Sequence, residues 1–229
     1  IKKNNPNANI KLKHAIYNNV SQKRNIGILN AKFDHIILID DDCLPEKDFF
    51  NNYSQLVSAN VGKKIIFSGM YKTDKNKIKS SNYYRYRDSR NYKIKSNHLE
   101  NFENIDFWHI VTGNLCFEKN LVFNNQIMFN ENITGYGFED VDWGFRLKKQ
   151  GFKIVKVNVS VIHNETSSNI SNYKLKWYYQ SLTGMPLLIN ENLNAAKKLP
   201  LFFLEKNSNR KMTQVFTLVI LKYFMNKFF

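Results

Sequence analysis

A run of apolar residues that ends in three consecutive acids is the feature that most constrains how this chain can fold. Residues 36–39 are Ile-Ile-Leu-Ile, and Asp40, Asp41 and Asp42 follow them directly. A short β-branched run of this kind predicts a buried central strand that is covered on both faces. Three carboxylates cannot share that burial without partners, so we expect them to lie in the crevice beyond the strand's carboxyl end. Their oxygen atoms suit Mg²⁺, Mn²⁺ or Ca²⁺, although a solvated acidic turn would have the same sequence.

Length and charge set the scale of the fold and the kind of partner. With 229 residues the chain is long enough for one large α/β domain, which we place at residues 1–170, and a helical extension at 171–229. The apolar and aromatic content is sufficient for a packed core, which excludes a disordered chain. The formal net charge of +15 implies an anionic partner, which is nucleic acid, a membrane surface or a phosphorylated substrate.

The two cysteines, Cys43 and Cys116, lie far apart and form no Cys-x-x-Cys pair. This spacing argues against a zinc site and predicts two reduced, semi-buried thiols in a cytosolic protein. The opening residues 1–10 are polar and do not resemble a signal peptide.

A basic segment with interleaved tyrosines spans residues 71–97, where nine residues are Lys or Arg. Such a segment can bind single-stranded nucleic acid, a sugar polymer, a diphosphate or an anionic membrane, and a mobile charged loop would look the same. The last segment, residues 212–229, is apolar and basic, but its uninterrupted apolar part is too short to span a bilayer. It predicts an amphipathic helix on a membrane or a docked terminal helix.

Residues 18–31 predict a helix that carries Arg24 and Asn25 on the approach to the acidic strand. Arg24 could contact a phosphate or a base, or it could be an ordinary solvated helix charge. Further along, residues 107–117 predict a strand that is interrupted at residues 112–114 by Thr-Gly-Asn. A glycine in a strand often marks a bulge or the close approach of a ligand.

A second acidic group opens a predicted helix, which should begin near Glu139, end at Gln150 and stop at Gly151. Glu139, Asp140 and Asp142 then fall on its first turn. The helix macrodipole stabilises negative charge there, so we expect these acids to stay ionised at neutral pH. Plain helix capping is the simpler interpretation of such acids, and the glycines just before them suit a backbone that passes close to a ligand.

Valines alternate with polar residues from Val155 to Val161, which predicts a strand with one buried face. His163 has the same parity, so it should lie on the valine side at the carboxyl end of that strand. There it is either a packed, hydrogen-bonded residue or a metal ligand.

In their order and spacing, these stretches resemble the family 2 glycosyltransferases of GT-A fold, and most closely the bacterial enzymes that elongate surface polysaccharides. The resemblance covers roughly residues 21–163. The matching segments are residues 24–28 (Arg-Asn-Ile-Gly-Ile), 36–42, 112–114 (Thr-Gly-Asn), 137–140 (Gly-Phe-Glu-Asp) and His163. The resemblance implies an α/β, GT-A-like (Rossmann-like) fold with a mixed, mostly parallel sheet flanked by helices, and a helical C-terminal tail.

The resemblance also implies a role for each matching residue. Asp140 would be the catalytic base, and Glu139 would orient the acceptor or donor sugar. Asp42 and His163 would bind the divalent metal, which is Mn²⁺ or Mg²⁺. Residues that would contact the nucleotide sugar are Arg24, Asn25, Asp40, Asp41, Gly113 and Asn114.

Within the acidic triplet, the resemblance implies that Asp40 contacts the ribose and that Asp41 is the variable middle position. The implied reaction is the inverting transfer of a sugar from a nucleotide-diphosphate sugar, most simply a UDP-sugar, to a hydroxyl of a growing saccharide or lipid-linked glycan. The implied location is cytoplasmic, with peripheral association on an anionic membrane through residues 71–97 and 212–229. No nucleic-acid partner is expected.

The residues alone leave two other interpretations open, a sugar-nucleotidyltransferase and a basic nucleic-acid-binding domain. The sequence also departs from the family at two places. Residues 1–20 contain no counterpart of the family's first strand, which predicts an N-terminally truncated chain. Gly137 and Phe138 stand where many relatives have a small residue before Glu-Asp, which predicts a differently shaped donor pocket.

Overall fold

A computed structural model describes residues 10–91, 103–134, 137–165 and 169–199 of the chain. The strands are β1 (His35–Ile39), β2 (Cys43–Pro45), β3 (Ile65–Thr73), β4 (Glu103–Asn104), β5 (Asn114–Glu118) and β6 (Lys153–His163). The α-helices are α1 (Val20–Asn30), α2 (Phe49–Ser58), α3 (Lys75–Ser80), α4 (Asn82–Arg90), α5 (Lys119–Asn124), α6 (Glu139–Lys149), α7 (Ile170–Tyr179), α8 (Met185–Glu191) and α9 (Leu193–Lys197). A 3₁₀ turn (Phe107–His109) precedes β5, and a π-helical turn (Gln180–Gly184) joins α7 to α8.

The strands form one mixed sheet in the order β1-β5-β3-β6-β2, and β4 pairs with the first part of β6. Among the pairings of the described strands, β3 with β6 is parallel and the others are antiparallel. The mixed, helix-flanked α/β sheet is confirmed. The expectation that it is mostly parallel was wrong for these strands, because β5 runs against both of its neighbours and β6 runs against β2 and β4.

Strand β1 lies at one end of this order and not at its centre. It pairs with β5 from His35 opposite Glu118 to Ile39 opposite Asn114. Ile36 is buried, whereas 41% of the Ile39 surface is exposed. Among the described strands, only β5 pairs with β1, so the prediction of a central strand was wrong. Both faces of β1 are nevertheless covered, since Ile36 and Ile37 pack in hydrophobic clusters on opposite faces of the sheet. The strand does end directly before the acids, as predicted.

Two hydrophobic clusters pack against opposite faces of the sheet, because successive side chains of a strand point to opposite sides. On one face Ile154 of β6 packs with Trp143 and Leu147 of α6. On the other face the β6 valines, residues 155, 157, 159 and 161, pack with Phe49 and Tyr53 of α2. The predicted valine face of β6 is therefore confirmed.

Helix α6 ends as predicted, with Gly151 in the left-handed region at φ 80°. Pro45 belongs to β2, and α2 begins at Phe49; a proline is tolerated in β2 because this strand ends the described strand order. The strand that was predicted over residues 107–117 differs from expectation, because residues 107–113 form the 3₁₀ turn and a loop and the strand begins at Asn114.

Most of the described part of the basic segment is helical. Residues 71–73 end β3, and α3 and α4 occupy most of residues 75–90, where a mobile loop was the simplest expectation. Residues 92–97 and the tail 212–229 lie outside the described residues. Helices α8 and α9 contribute Leu188 and Ala195 to the cluster around Trp143. The described part of residues 171–229 thus shares the core of the main domain, and the boundary at residue 170 stays a prediction.

Candidate active site

A cavity of about 550 Å³ opens at the edge of the sheet where β1 and β6 end. It is lined by Asp40 and Asp42, which follow β1, by His163, which ends β6, and by Asp140 on the first turn of α6. The structure therefore brings three separate stretches of the sequence to one pocket. We call Asp40, Asp42 and Asp140, together with the adjacent Glu139, the acidic wall.

Asp40 is positioned by its backbone and by two side chains. Its N–H donates to the carbonyl oxygen of Gly113 at 3.2 Å, and the Tyr71 hydroxyl donates to its Oδ2 at 3.2 Å. Arg24 Nη2 lies 4.0 Å from its Oδ1. The Asp40 side chain remains 43% exposed. Its carboxylate is therefore fixed in place and still accessible to a ligand.

Gly113 is required by this arrangement. A Cβ atom at this position would collide with the Asp40 carboxylate and with the Tyr71 hydroxyl. Burial and the charge of Asp40 raise the pKa of Tyr71 above its usual range, so the hydroxyl stays protonated and donates. The loop that was predicted to pass close to a ligand thus passes close to Asp40 itself.

Asp42 and His163 form a direct pair, with 3.0 Å between Asp42 Oδ2 and His163 Nε2. The antiparallel pairing of β2 with β6 places Cys43 opposite His163 and so brings its neighbour Asp42 to the same point. Asn164 N–H also donates to the Asp42 carbonyl oxygen at 2.7 Å. The Tyr71 ring packs edge-on against the imidazole, with 5.3 Å between ring centroids.

This pair fits a divalent cation that takes most of its ligands from substrate and water. A carboxylate and a neutral imidazole are suitable ligands for Mn²⁺, and Mg²⁺ is usually held by one or two carboxylates plus substrate phosphates. In the part of the chain that the structure describes, no group of three or more His, Cys, Asp or Glu residues surrounds a metal position. The side chains of Asp42 and His163 are 41% and 23% exposed, which leaves room for further ligands.

The start of α6 supplies the other two carboxylates of the acidic wall. Arg24 Nη1 donates to Glu139 Oε1 at 2.7 Å, and the same guanidinium faces Asp40, so Arg24 links α6 to the end of β1. The other oxygen of Glu139, Oε2, is buried and has no hydrogen-bond partner among the described residues. A buried acceptor without a donor is costly to the folded protein. Glu139 does not line the cavity, so its contribution to the site is its ion pair with Arg24 and its charge beside Asp140.

The carboxyl group of Asp140 has a raised pKa. Burial raises the pKa of its carboxyl to about 7, the neighbouring charge of Glu139 adds to this, and Arg24 opposes it. The expectation that all the first-turn acids stay fully ionised at neutral pH was therefore wrong for Asp140. Desolvation and a like charge outweigh the helix dipole there. A carboxyl with a pKa near neutrality is suited to accept and release a proton.

The backbone just before α6 has an unusual conformation at Gly137 and Phe138. Gly137 and Phe138 both have positive φ, at 83° and 71°. A Cβ atom at Gly137 would collide with the Gln180 side chain, which also lines the cavity. Positive φ at a non-glycine residue such as Phe138 is uncommon and often occurs at functional sites.

A sequence model of the family described as "Glycosyltransferase like family 2" matches residues 3–180 of the chain. The match covers more than half of the sequence. The chain belongs to this family. The glycosyltransferase resemblance of the sequence is therefore confirmed, while a search of curated proteins found no matching sequence.

Solved structures share the fold of this family 2 domain. It is similar to residues 1–349 of S. aureus TarS, with a TM-score of 0.53, 10% identity and coverage of 94% of this chain and 63% of that one. A second TarS structure, in complex with UDP-GlcNAc, gives a TM-score of 0.55, 11% identity and coverage of 98% and 66%. The chain thus spans somewhat less than two thirds of the length of these TarS structures. Because the sequence identity is only 10% and 11%, the similarity to TarS supports the GT-A-like fold and nothing further.

Six predicted site residues of the family 2 domain do not line the cavity. Three of them, Arg24, Gly113 and Glu139, contact Asp40 or one another, as described above. The other three are Asn25, Asn114 and Asp41. Asn25 is buried, and its amide donates to the Phe129 carbonyl oxygen and Glu131 Oε1 and accepts from Phe129 N–H. Asn114 is fully buried beneath the site. Asp41 is exposed on the turn between β1 and β2. Their contact with a nucleotide sugar stays a prediction.

Asn114 instead holds three strands together. Its Nδ2 donates to the Met70 carbonyl oxygen at 3.1 Å and to the Val159 carbonyl oxygen at 3.0 Å. Its Oδ1 accepts from the Tyr53 hydroxyl at 2.6 Å. The amide therefore fastens β5 to β3 and β6 at the irregular register of β3 between Ser68 and Met70.

Other residues line the cavity although the sequence did not single them out as site residues. Lys156 had the polar parity of the valine strand, yet it is buried, and its Nζ donates to the Gly69 carbonyl oxygen at 2.6 Å. Burial lowers the pKa of Lys156 to about 8. The remaining unpredicted lining residues include Tyr71, Arg87, Trp108, His109, Tyr173, Lys176, Trp177 and Gln180. The basic segment at residues 71–97 was the available signal for Arg87, and the several aromatic residues of α7 were the available signal for Trp177.

Proposed function

We propose that this domain transfers a sugar from a nucleotide-diphosphate sugar to an acceptor hydroxyl, with inversion at the anomeric carbon. One observation carries the proposal: Asp40, Asp42, Asp140 and His163, which come from three distant stretches, line one cavity in a family 2 domain. A UDP-sugar is the donor that we propose. Its support is that a protein of similar fold was crystallised with UDP-GlcNAc.

In this proposal Asp40 and Asp42 of the acidic wall bind the donor nucleotide, and Asp140 acts on the acceptor. Asp40 accepts from the ribose hydroxyls of the donor, and Asp42 with His163 faces the diphosphate. When bound there, a Mn²⁺ or Mg²⁺ ion would act as a Lewis acid that stabilises the negative charge developing on the β-phosphate. Asp40, Asp42 and His163 would thus bind the leaving group, the nucleoside diphosphate, at the ends of β1 and β6.

Asp140 acts at the acceptor. Its ionised carboxylate takes the proton of the acceptor hydroxyl while that oxygen forms a bond to the anomeric carbon. The bond from that carbon to the nucleoside diphosphate breaks, and its electron pair stays on the β-phosphate oxygen. Base and leaving group on opposite faces of the sugar require a single displacement, which inverts the anomeric centre. Glu139, which is adjacent to Asp140 and hydrogen-bonded to Arg24, orients the acceptor or donor sugar in this proposal.

The acceptor in this proposal is a saccharide or a lipid-linked glycan. In the part of the chain that the structure describes, no helix is both long and apolar enough to cross a bilayer. Peripheral contact with an anionic membrane through residues 71–97 and 212–229 stays a prediction, because much of these segments lies outside the described residues.

The decisive experiment separates chemistry from donor binding. Asp140→Asn keeps the shape of the side chain and removes the base, so we expect transfer from UDP-sugars to fall by about 10² to 10⁴-fold. UDP binding in the presence of Mn²⁺ should change by less than about twofold, because Asp140 faces the acceptor in this mechanism. Asp34→Asn is the matched control, since Asp34 is an exposed acid just before β1, at the end of the strand away from the cavity.

The pH profile gives an independent check. Since Asp140 must be ionised to accept the proton, kcat/KM should rise with pH until its pKa of about 7 is passed. Equal loss of transfer and UDP binding in Asp140→Asn would instead indicate a structural role for this residue. Retention of the anomeric configuration in the product would contradict the single displacement.

A further inference from the structure

The side of the cavity formed by α4 and α7 has a chemistry unlike that of the acidic wall. Arg87 of α4 and Lys176, Tyr173 and Trp177 of α7 line this side. We call these four residues the basic wall. It presents two permanent positive charges and aromatic rings to the same space that Asp140 faces.

Glu165 organises the two cations. Its Oε1 accepts from Lys176 Nζ at 2.7 Å, and its Oε2 lies 3.8 Å from Arg87 Nε and accepts from the Tyr83 hydroxyl at 3.2 Å. The Glu165 carboxylate is nearly buried, while the Arg87 and Lys176 side chains are 30% and 47% exposed. One carboxylate therefore fixes two cations from behind and leaves their net charge positive.

A third cation extends this cluster. Lys77 Nζ donates to the Glu165 carbonyl oxygen at 2.9 Å and to Asn164 Oδ1 at 2.8 Å. Beyond it, Lys75 and Lys79 of α3 and Arg85 of α4 are exposed. The positive charge thus continues from the cavity onto the surface of α3 and α4. A single diphosphate inside the cavity would need only its innermost part, whereas an extended anionic ligand would use all of it.

Aromatic rings accompany the cations inside the cavity. Trp177 is half-buried and packs edge-on against Tyr173, with 6.1 Å between ring centroids. Trp108 is half-buried on the segment before β5 and also lines the cavity. Indole rings supply large, rigid apolar surfaces with a polar edge, which suits contact with the faces of sugar rings.

We propose that the basic wall binds an anionic acceptor glycan, a chain that carries phosphate, sulfate or carboxylate groups. This inference rests on the proposed function, because it names the substrate that would reach Asp140. Trp177 and Trp108 contact the sugar rings, Arg87 and Lys176 bind the anionic groups nearest the reacting hydroxyl, and the α3–α4 surface binds the following groups. A membrane surface is a poorer fit, because Arg87 lies inside a concave cavity that a flat bilayer does not enter.

The test measures binding of low-molecular-weight dextran sulfate and of neutral dextran of the same length, by titration calorimetry in moderate salt. The wild-type protein should bind the sulfated chain at least about tenfold more tightly than the neutral one. The double variant Arg87→Gln/Lys176→Gln should lose at least about tenfold of that affinity, since charge-assisted hydrogen bonds are lost.

The matched control is Lys149→Gln/Lys153→Gln, which also removes two positive charges. These two lysines lie at the last residue of α6 and the first residue of β6, at the ends of these elements away from the cavity. It should change binding by less than about twofold. Because the double variant leaves Glu165 without two partners, Lys176→Gln alone is measured as well, together with the thermal unfolding of each variant. Lys176 is half-exposed, so its single variant should fold and still lose about threefold or more in affinity for the sulfated chain.

Three outcomes would overturn the inference. The first is equal loss in the control variant, which would show only nonspecific attraction between polyelectrolytes. The second is a loss of UDP binding while dextran sulfate binding is kept, which would assign the basic wall to the donor diphosphate. The third is a loss of binding to phosphatidylglycerol vesicles with no change for dextran sulfate. None of these binding measurements requires catalytic turnover. Inactivity towards UDP-sugars would therefore refute the proposed function, and it would not be confused with any of these three outcomes.

Discussion

The acidic wall and the basic wall face the same cavity but are held in place by different means. The acidic wall stands on the sheet, where Asn114 fastens β5 to β3 and β6 by side-chain to backbone hydrogen bonds. The basic wall stands on helices α4 and α7, which Glu165 links by hydrogen bonds and ion pairs between side chains. The Asn114 side chain beneath the acidic wall is fully buried, whereas the Arg87 and Lys176 side chains that Glu165 holds are partly exposed, so salt and pH can weaken their contacts.

The two walls also treat a carboxyl group in opposite ways. Burial and the charge of Glu139 raise the pKa of Asp140. The nearby cation, Arg24, lowers it but does not cancel the rise, and its hydrogen bond goes to Glu139. Burial would raise the pKa of Glu165 too, but the hydrogen bond from Lys176 and the charge of Arg87 lower it below its ordinary value. The difference shows that the number of cations available to each carboxyl, and not burial alone, decides which group is poised to exchange a proton.

The largest effect on stability should come from the support beneath the acidic wall. Asn114→Ala removes hydrogen bonds to two strands and leaves the Met70 and Val159 carbonyl oxygens without this donor, so we expect a loss of about 3 to 5 kcal/mol in the free energy of unfolding. Urea denaturation measures it. Asn51→Ala on the exposed side of α2 is the control and should change stability by less than about 0.5 kcal/mol. A loss below about 1 kcal/mol in Asn114→Ala would show that the amide does not carry the sheet.

Asp140 should show the stability cost of its function. Its pKa is raised in the folded state, so the folded protein loses stability as pH rises from the ordinary value of 3.8 to about 7. Asp140→Asn removes this cost, and after allowance for its partial exposure we expect a gain of about 1 to 2 kcal/mol at pH 8. The gain should become small near pH 4 and vanish below about pH 3, where both states bind the proton. Thermal unfolding across this range checks it, and a variant that is less stable than wild type at pH 8 would reverse the assigned direction.

Glu165 should behave in the opposite sense. Its pKa is lowered in the folded state, so its contribution is present above its ordinary pKa of 4.5 and is lost as pH falls through the lower folded value. Glu165→Gln should therefore lose about 1 kcal/mol at pH 7 and approach wild type in acid. Faster amide hydrogen exchange in α4 and α7 would place the loss in the basic wall. No change in exchange there would mean that other contacts hold these helices.

The smallest effect should come from the Tyr71 hydroxyl. Tyr71→Phe removes the donor to Asp40 but keeps the ring that packs against His163. Asp40 retains Arg24 and the Gly113 carbonyl contact, so we expect a stability change of about 1 kcal/mol or less. The donor KM should rise a few-fold with kcat nearly unchanged. A large fall in kcat at constant KM would place Tyr71 in the chemical step.

The sequence predicted the acidic wall far better than the basic wall, for physical reasons. A strand that runs into acids, a glycine loop before an acidic helix start and a valine ladder that ends in His163 are local patterns with a fixed period. The edge position of β1 and the antiparallel partners of β5 depend on contacts between distant segments, which periodicity does not encode.

The burial of Lys156 escaped prediction for a related reason. Alternation along β6 assigned it to a solvated face, but helices cover both faces of the sheet at this strand. The basic wall had no periodic signal at all. Tyr173 is the buried residue of α7, and the rest of that helix is exposed or half-buried, so its sequence resembles a surface helix. Only packing against α4 and Glu165 shows which residues turn towards the cavity.

The most direct test of the account is the effect of Mn²⁺ on UDP binding, measured by titration calorimetry. In wild type and in the Asp34→Asn control, Mn²⁺ should tighten UDP binding by about tenfold or more, because the pair of Asp42 and His163 would hold the cation against the diphosphate. Asp42→Asn should abolish this gain while leaving metal-free UDP binding nearly unchanged. An equal gain in Asp42→Asn, or no gain in wild type, would contradict the assignment of the acidic wall as a metal and nucleotide-sugar site.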